Sequence, residues 1–147
     1  MQRKKYSFAL IICLVLCFCT AITSACTKGD LSELYDDETS YTDAFTHFAA
    51  VGSVSIIEEK YIELSFMKLS GIREIKTISV SADTLFDVNT ELSEGRLRII
   101  LVSGKNWYLL AEGNTDIQNF KPEIPEGKYK LRIVSDKAAA TVKIKIK

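Results

Sequence analysis

Short runs in which apolar and polar residues alternate dominate the sequence from Gly52 to its end. The clearest is the last, in which Val142, Ile144 and Ile146 alternate with lysines. A period of two places alternate side chains on opposite faces of an extended strand, whereas an amphipathic helix needs a period near 3.6. The pattern therefore restricts this part of the chain to β-structure.

The alternating runs span 62–67, 77–81, 97–102, 107–111, 129–134 and 142–147. Glycines fall between them, where turns need tight bends or a positive φ. Several short strands separated by turns are typical of an antiparallel sandwich or barrel. We therefore predict an all-β fold, an antiparallel β-sandwich of the immunoglobulin-like or jelly-roll type with about seven or eight strands. Residues 42–50 fit either a short helix or a first edge strand.

The last two runs are rich in basic residues. We predict that they pair as a hairpin through residues 135–140, which brings six cations to one outer face. These are Lys128, Lys130, Arg132, Lys143, Lys145 and Lys147. Such a stripe suits contact with a polyanion, either anionic lipid head groups or a wall polymer. The alternative, which we favour, is that the lysines protect an exposed edge strand from aggregation.

The first 26 residues have a different character. Residues 1–5 are basic, residues 6–27 carry no charge, and small residues stand immediately before Cys26 in the order Thr23-Ser24-Ala25. A basic flank, an apolar core and small residues in this order predict an export signal. The segment resembles the signal peptide of bacterial lipoproteins. The resemblance implies cleavage before Cys26, a diacylglycerol on its sulfur, and a protein tethered to the extracytoplasmic side of the cell membrane.

Two alternatives to the lipid anchor remain open. The 22 uncharged residues from 6 to 27 measure about 33 Å as a helix, enough to cross a bilayer uncleaved as a single-pass signal anchor. Conventional secretory cleavage would leave Cys26 as a free thiol. In the favoured interpretation the chain divides into a signal peptide (1–25), a lipidated tether (26–40) and a sandwich domain (41–147). We expect the acid-rich tether to stay solvated.

The segment 127–133 reads Gly-Lys-Tyr-Lys-Leu-Arg-Ile. It resembles the start of the last hairpin in small extracellular jelly-roll and immunoglobulin-like modules. The domain as a whole resembles small β-sandwich lipoproteins of Gram-positive bacteria. This resemblance bears on the fold and transfers no binding residue.

Charge and cysteine content exclude two classes of protein. Without Arg3, Lys4 and Lys5 of the signal, 16 of the 19 basic residues remain against 19 acidic ones, a net charge of −3. That balance excludes a nucleic-acid binder driven by bulk charge. The chain has four cysteines, and three lie in the signal, so the exported form has no pair for an intramolecular disulfide.

No convincing catalytic group is present. His47 is the one histidine, and we expect it to be a satisfied polar residue on a half-buried segment. Ser65 and Lys68 have the Ser-x-x-Lys spacing of some acyltransferases, but that chemistry needs one helical face, whereas residues three apart on a strand point to opposite faces. We therefore expect a non-enzymatic protein.

No cofactor is expected either. Asp87, Asn89 and Glu91 begin like a calcium loop, but Leu92 and Arg98 stand where that loop needs glycine and glutamate. The favoured interpretation is a polar strand edge or turn, and a sandwich-type calcium site stays open.

Trp107 and Tyr108 suit a sugar-stacking platform only if exposed. Neighbours on a strand point to opposite faces, and each of these rings shares its face with a leucine, so we predict that both belong to the core.

The preferred function is therefore that of a membrane-anchored extracytoplasmic lipoprotein acting as a surface binding or structural module. Its partners would be the membrane, through the lipid, and a glycan, a cell-wall polymer or another envelope protein. An alternative is a single-pass, signal-anchored envelope protein with a glycan- or wall-polymer-binding sandwich.

Overall fold

A computed structural model describes residues 31–147. Within that range the predicted all-β antiparallel class is confirmed: seven strands form one sheet. They are β1 (Phe48–Val51), β2 (Val54–Ile57), β3 (Tyr61–Val80), β4 (Phe86–Ser103), β5 (Asn106–Glu112), β6 (Thr115–Phe120) and β7 (Gly127–Ile146). Two short 3₁₀ helices, Glu33–Tyr35 and Glu38–Thr42, precede them. The predicted signal peptide and Cys26 lie outside the described residues, among which no helix is long and apolar enough to cross a membrane.

The last strand of the chain lies at the centre of the sheet. β7 pairs antiparallel with β3 on one side and with β4 on the other, over almost its whole length. β1 and β2 both pair with the outer side of β3. β5 and β6 both pair with the outer side of β4. The sheet therefore has three long central strands and a broken pair of short strands along each edge.

The long strands bend sharply near their middle. Strands of 18 to 20 residues far exceed the usual five or six or so, and each carries an irregularity at about the same level. The pairing register shifts around Gly71 in β3 and around Gly95 in β4, and Lys137 in β7 has a φ of 50°. Gly71 and Gly95 have positive φ values, and a Cβ there would collide with backbone carbonyl oxygens. The bends fold the sheet over itself, in a sandwich-like arrangement.

The main core lies between the two halves of the bent sheet. One apolar cluster combines residues from both ends of each long strand, such as Ile62 with Ile78 in β3 and Leu131 with Ile144 in β7. All four side chains are buried. Burial of this alternating set on both sides of the bends explains why the sequence has a strict period of two there.

The predicted hairpin through residues 135–140 is wrong. These residues continue β7, so 129–134 and 142–147 belong to one central strand. The segment contains no glycine or proline to form a turn, and alanines at 138, 139 and 140 fit the close packing at the bend. In the same way 62–67 and 77–81 are two parts of β3, because Gly71 forms a bend rather than a turn.

The expectation of a solvated tether is also wrong for the described residues 31–40. A second apolar cluster lies on the outer face of the sheet, where Tyr35 and Tyr41 from the 3₁₀ helices cover Ile72, Ile100 and Val134. Tyr35 is 3% exposed and Tyr41 is fully buried. The two rings turn an otherwise polar segment into a cover for the sheet. Of the two structures open for residues 42–50, the edge strand is the one adopted, as β1.

Candidate interaction surface

The predicted basic stripe follows the central strand rather than an edge. β7 is paired on both sides, so its lysines do not protect an edge, and that interpretation is wrong. Arg132 is buried and Lys130 lies beside it; both bond Glu74 Oε2 at 3.1 Å. The structure thus divides the six cations between buried and exposed positions.

The remaining cations lie at the two ends of β7. Lys143 Nζ is 3.9 Å from Glu63, and Lys147 Nζ is 2.5 Å from Asp87. Among the described residues, Lys128 and Lys145 form no ion pair. Acidic residues on the neighbouring strands β3 and β4 neutralise much of the stripe. The residue pattern of β7 alone does not predict which acids its neighbours place beside it. Contact of these cations with a polyanion stays a prediction.

A cluster of arginine and tyrosine side chains holds residues 33–42, the two 3₁₀ helices, on the sheet. We refer to these residues as the N-terminal segment. The Tyr35 ring lies between two guanidinium groups of β4, 4.3 Å from Arg96 and 4.6 Å from Arg98. Arg96 also forms a bidentate ion pair with Asp36 at 2.8 and 2.9 Å. Because these groups bind one another across 60 residues of sequence, the cluster has a structural role.

Glu112 of β5 completes this cluster. Its Oε1 accepts hydrogen bonds from the Tyr35 hydroxyl at 3.0 Å and from Arg98 Nε at 2.9 Å. Burial and the bond to Glu112 raise the pKa of Tyr35 to about 12. The hydrogen bond from Arg98 holds the pKa of Glu112 below its ordinary value. Tyr35 therefore stays neutral and Glu112 charged at physiological pH.

The residues considered for catalysis and metal binding do not converge on one site. His47 is exposed, which corrects the half-buried position expected for it, and its carbonyl oxygen accepts a hydrogen bond from Ile72 N at 2.8 Å. Ser65 and Lys68 lie on a strand, as predicted. Asp87 accepts hydrogen bonds from Lys147 and from Asn119 N. Across residues 31–147, no three histidine, cysteine or acidic side chains form a metal-binding group.

The two aromatic residues at 107 and 108 are half-buried and pack against the two apolar clusters, so the prediction that they belong to the core holds in part; Leu109, which was expected to share a buried face with Trp107, is exposed. Trp107 packs edge-on against Tyr41 with ring centroids 5.1 Å apart, beneath the N-terminal segment. Tyr108 packs against Tyr129 at 5.9 Å on the inner face. Neither ring is available as an open stacking platform.

Apolar side chains are exposed along one edge of the sheet. All eight residues of β1 and β2 are exposed. The large apolar side chains on and next to these strands are between 44% and 81% exposed: Phe45, Phe48, Val51, Val54, Ile56, Ile57 and Met67. We refer to these residues, with the backbone of the two strands, as the β1–β2 edge. Neither strand contains a charged residue.

The backbone of the β1–β2 edge is open as well. In the described chain, each of its strands pairs only with β3. Glu58 N donates to Tyr61 O at 2.8 Å, which makes these two a hydrogen-bonded pair at the end of the β2–β3 hairpin. Hydrogen-bonded and non-bonded pairs alternate along an antiparallel ladder. Ser55 and Ile57 therefore point their N–H and C=O groups away from β3.

The opposite edge of the sheet is protected. The 3₁₀ helix Glu38–Thr42 lies against β5, and β6 carries Asp116 and Gln118. Asn119 of β6 has a φ of 53°, and Pro122 follows shortly afterwards. Polar side chains, backbone irregularities and prolines are the usual means of preventing edge-to-edge pairing. The β1–β2 edge is less protected: its strands contain no proline and no charged residue, although Gly52 between them has a φ of 58° and Arg73 of β3 donates to Ser55 Oγ at 3.0 Å.

An open groove of about 620 Å³ adjoins this edge at the bend of the sheet. Small side chains of β7, Ala139 and Thr141, line its floor, and Met67 and Glu91 lie on opposite sides. Met67 belongs to both surfaces, so the groove and the edge are continuous.

Sequence reasoning missed the β1–β2 edge because an exposed apolar strand has the same composition as a buried one. The only available signal is the run from Phe48 to Ile57, which has no charged residue and no clear alternation. Comparison with protein-family models, curated proteins and solved structures finds no match for the chain. The choice of this candidate surface rests on its geometry.

Proposed function

We propose that the protein is a membrane-anchored extracytoplasmic lipoprotein that acts as a non-enzymatic surface binding or structural module. The observation that carries the proposal is the exposed β1–β2 edge. Contiguous apolar patches on soluble monomers rarely exceed a few hundred Å², and larger ones mark interaction sites. The seven large apolar side chains of the β1–β2 edge are exposed on both faces of its strands, and their number supports a function in binding another molecule.

The anchor is proposed from the lipoprotein-like signal that ends at Cys26. Five residue steps separate Cys26 from Leu31, the first described residue, and they span at most about 18 Å. The N-terminal segment packs on the sheet from Tyr35 onward. A lipid on Cys26 would therefore hold the domain close to the membrane surface, where partners are other envelope components.

A second candidate function is suggested by the groove beside the edge. Hydroxyl groups of Ser65 and Thr141 and carboxylates of Glu91 and Glu94 line it. Open grooves with hydroxyl and carboxylate groups suit polyhydroxyl ligands, which favours a glycan or wall polymer there. This function would be supported if the protein bound purified wall glycan. The binding should be lost in Thr141→Trp, which fills the groove, and kept in Ile56→Lys, which alters the β1–β2 edge.

The proposed function is tested by crosslinking in intact cells that produce the full-length protein. A photoreactive residue at position 56 of the β1–β2 edge should form crosslinks to envelope proteins, this protein included. The matched control is position 109 of β5, because Ile56 and Leu109 are both 46% exposed and both lie on edge strands. Equal yields from the two positions would overturn the assignment of the binding surface.

A further inference from the structure

The β1–β2 edge combines two properties that restrict its partner. Its side chains are apolar, which fits either a membrane or a protein. Its backbone, however, has free N–H and C=O groups at Ser55 and Ile57, as the pairing with β3 requires. Unpaired backbone groups do not enter the hydrocarbon region of a bilayer, because each costs several kcal/mol there. Another β-strand satisfies both the side chains and the backbone.

We infer that this strand comes from a second copy of the protein, and that the two β2 strands pair antiparallel across a twofold axis. The inference rests on the surface identified under the proposed function and adds the identity of its partner. A twofold interface uses the same patch on both copies, so the patch must be complementary to itself. The β1–β2 edge meets this condition in its hydrogen bonding, its side chains and its charge.

The backbone pattern defines the register. Only residues whose N–H and C=O groups point outward can form the hydrogen-bonded pairs of a new antiparallel ladder. A ladder confined to β2 therefore pairs Ser55 with Ile57 of the second copy, and Ile57 with Ser55. Ile56 then lies opposite Ile56 of the second copy, on the axis. This is a non-hydrogen-bonded pair, in which the two Cα atoms approach to about 4.5 Å.

The side chains and charges agree with this register. No charged residue lies in β1 or β2, so the ladder itself contains no like charges; the nearest cation, Arg73, belongs to β3 and is hydrogen-bonded to Ser55 Oγ of its own copy at 3.0 Å. Beyond Ile57, the same register places the loop residues Glu58 and Glu59 of one copy opposite the uncharged residues Val54 and Ser53 of the other. Lys76 Nζ of the same copy lies on this loop, 2.7 Å from Glu58 O, so a cation accompanies the two carboxylates.

The exposed area is also of the right size. The seven apolar side chains of the edge are 44–81% exposed, and together they present several hundred Å². A standard interface takes about 800 Å² from each partner, of which somewhat more than half is apolar. The edge, with Met67 at its boundary with the groove, is therefore of the size that the apolar part of such an interface requires.

Ile56→Lys tests the inference. The full-length protein is purified in mild detergent, and its mass is followed by light scattering or sedimentation over a range of concentrations. The wild-type chain should dimerise. Ile56→Lys removes two apolar contacts and places two like charges on the axis, so it should weaken dimerisation on the order of a hundredfold or more. Leu109→Lys, a substitution of equal exposure on the opposite edge, should leave dimerisation unchanged.

A disulfide measures the register directly. Ile56→Cys should form a disulfide-linked dimer under mild oxidation, because the predicted Cα separation lies within the range that disulfides span. Leu109→Cys controls for collision between copies, and the wild-type chain controls for its own cysteines. A wild-type monomer at every concentration tested, or equal linkage from both cysteine variants, would overturn the inference. A monomer whose position 56 still crosslinks another envelope protein in cells would overturn the dimer alone and leave the proposed function standing.

Discussion

Arg132 and Glu74 form an ion pair across the two longest strands, with Arg132 Nη2 3.1 Å from Glu74 Oε2. The Arg132 side chain is 1% exposed, and its other terminal nitrogen donates to the Tyr41 carbonyl oxygen at 2.7 Å. One buried guanidinium thus joins β7, β3 and the N-terminal segment. A buried cation without its partner is strongly destabilising, so we expect the stability of the fold to depend on this pair.

Glu74→Gln should lower the free energy of unfolding by about 2–3 kcal/mol. This is below the 3–5 kcal/mol typical of fully buried pairs, because Glu74 keeps about a third of its side chain exposed to water. Urea unfolding measures the change. Glu63→Gln is the control: Glu63 is about as exposed as Glu74, but its pair with Lys143 is 3.9 Å long and Lys143 is not buried. Gln keeps an acceptor for the Tyr61 hydroxyl, which donates to Glu63 at 2.7 Å, so the change should cost less than about 0.5 kcal/mol. Equal losses in the two variants would contradict the structural importance of Arg132.

The same carboxylate gives a pH dependence with a defined sign. Burial raises the pKa of Glu74, but hydrogen bonds from Lys130 and Arg132 outweigh burial and hold it below the ordinary value of 4.5. A depressed folded-state pKa means that the stabilisation is complete above pH 4.5 and disappears as the pH falls through the lower, folded value. The difference in unfolding free energy between wild type and Glu74→Gln should therefore shrink as the pH falls below 4.5. A difference that is constant with pH would be inconsistent with this assignment.

Alanine substitutions in β7 should lower stability on its buried face and have little effect on its exposed face. Leu131 and Ile144 are fully buried, so changing either to alanine should cost about 2–5 kcal/mol. Lys145→Ala alters an exposed side chain next to Ile144 and should cost less than about 0.5 kcal/mol. Chemical denaturation of the three variants provides the comparison. If the lysine variant lost as much stability as the other two, the register of β7 would be shifted by one residue.

The sequence predicts best those features of the structure that depend on a single strand. A period of two suffices to place Leu131 and Ile144 on the inner face, since alternation is a local property. It does not show that both residues lie on one strand, because the alanine-rich link is kept extended only by pairing with β3 and β4. Arg132 and Glu74 are 58 residues apart in the chain. Their ion pair can be predicted only when the register between β3 and β7 is known.

Removal of the Tyr35 ring should detach the N-terminal segment. Tyr35→Ala leaves a cavity and breaks the contacts with Arg96, Arg98 and Glu112, at about 2–4 kcal/mol. Hydrogen exchange should show faster exchange in residues 33–42 while the long strands stay protected. Glu38→Ala, an exposed change in the same segment, should have little effect. Unchanged protection of 33–42 in Tyr35→Ala would rule out the ring as the main attachment of this segment.

Cys26→Ala should abolish labelling by radioactive fatty acid and leave an unprocessed precursor. The prediction follows from the small residues that end at Cys26 in the lipoprotein-like signal. Cys19→Ala lies within the apolar core of that signal and should keep its label. Normal processing and release of Cys26→Ala would instead support conventional secretory cleavage.

The central position of β7 has a consequence for the order in which the protein folds. β3 and β4 do not pair with each other; each pairs with the last twenty or so residues of the chain. The sheet therefore cannot close before β7 is in place, and until then β3 and β4 would remain apart, each with its short edge strands. Pairings over such long sequence separations are slow to form. Joining the two halves of the sheet through β7 should therefore be the slow step of folding.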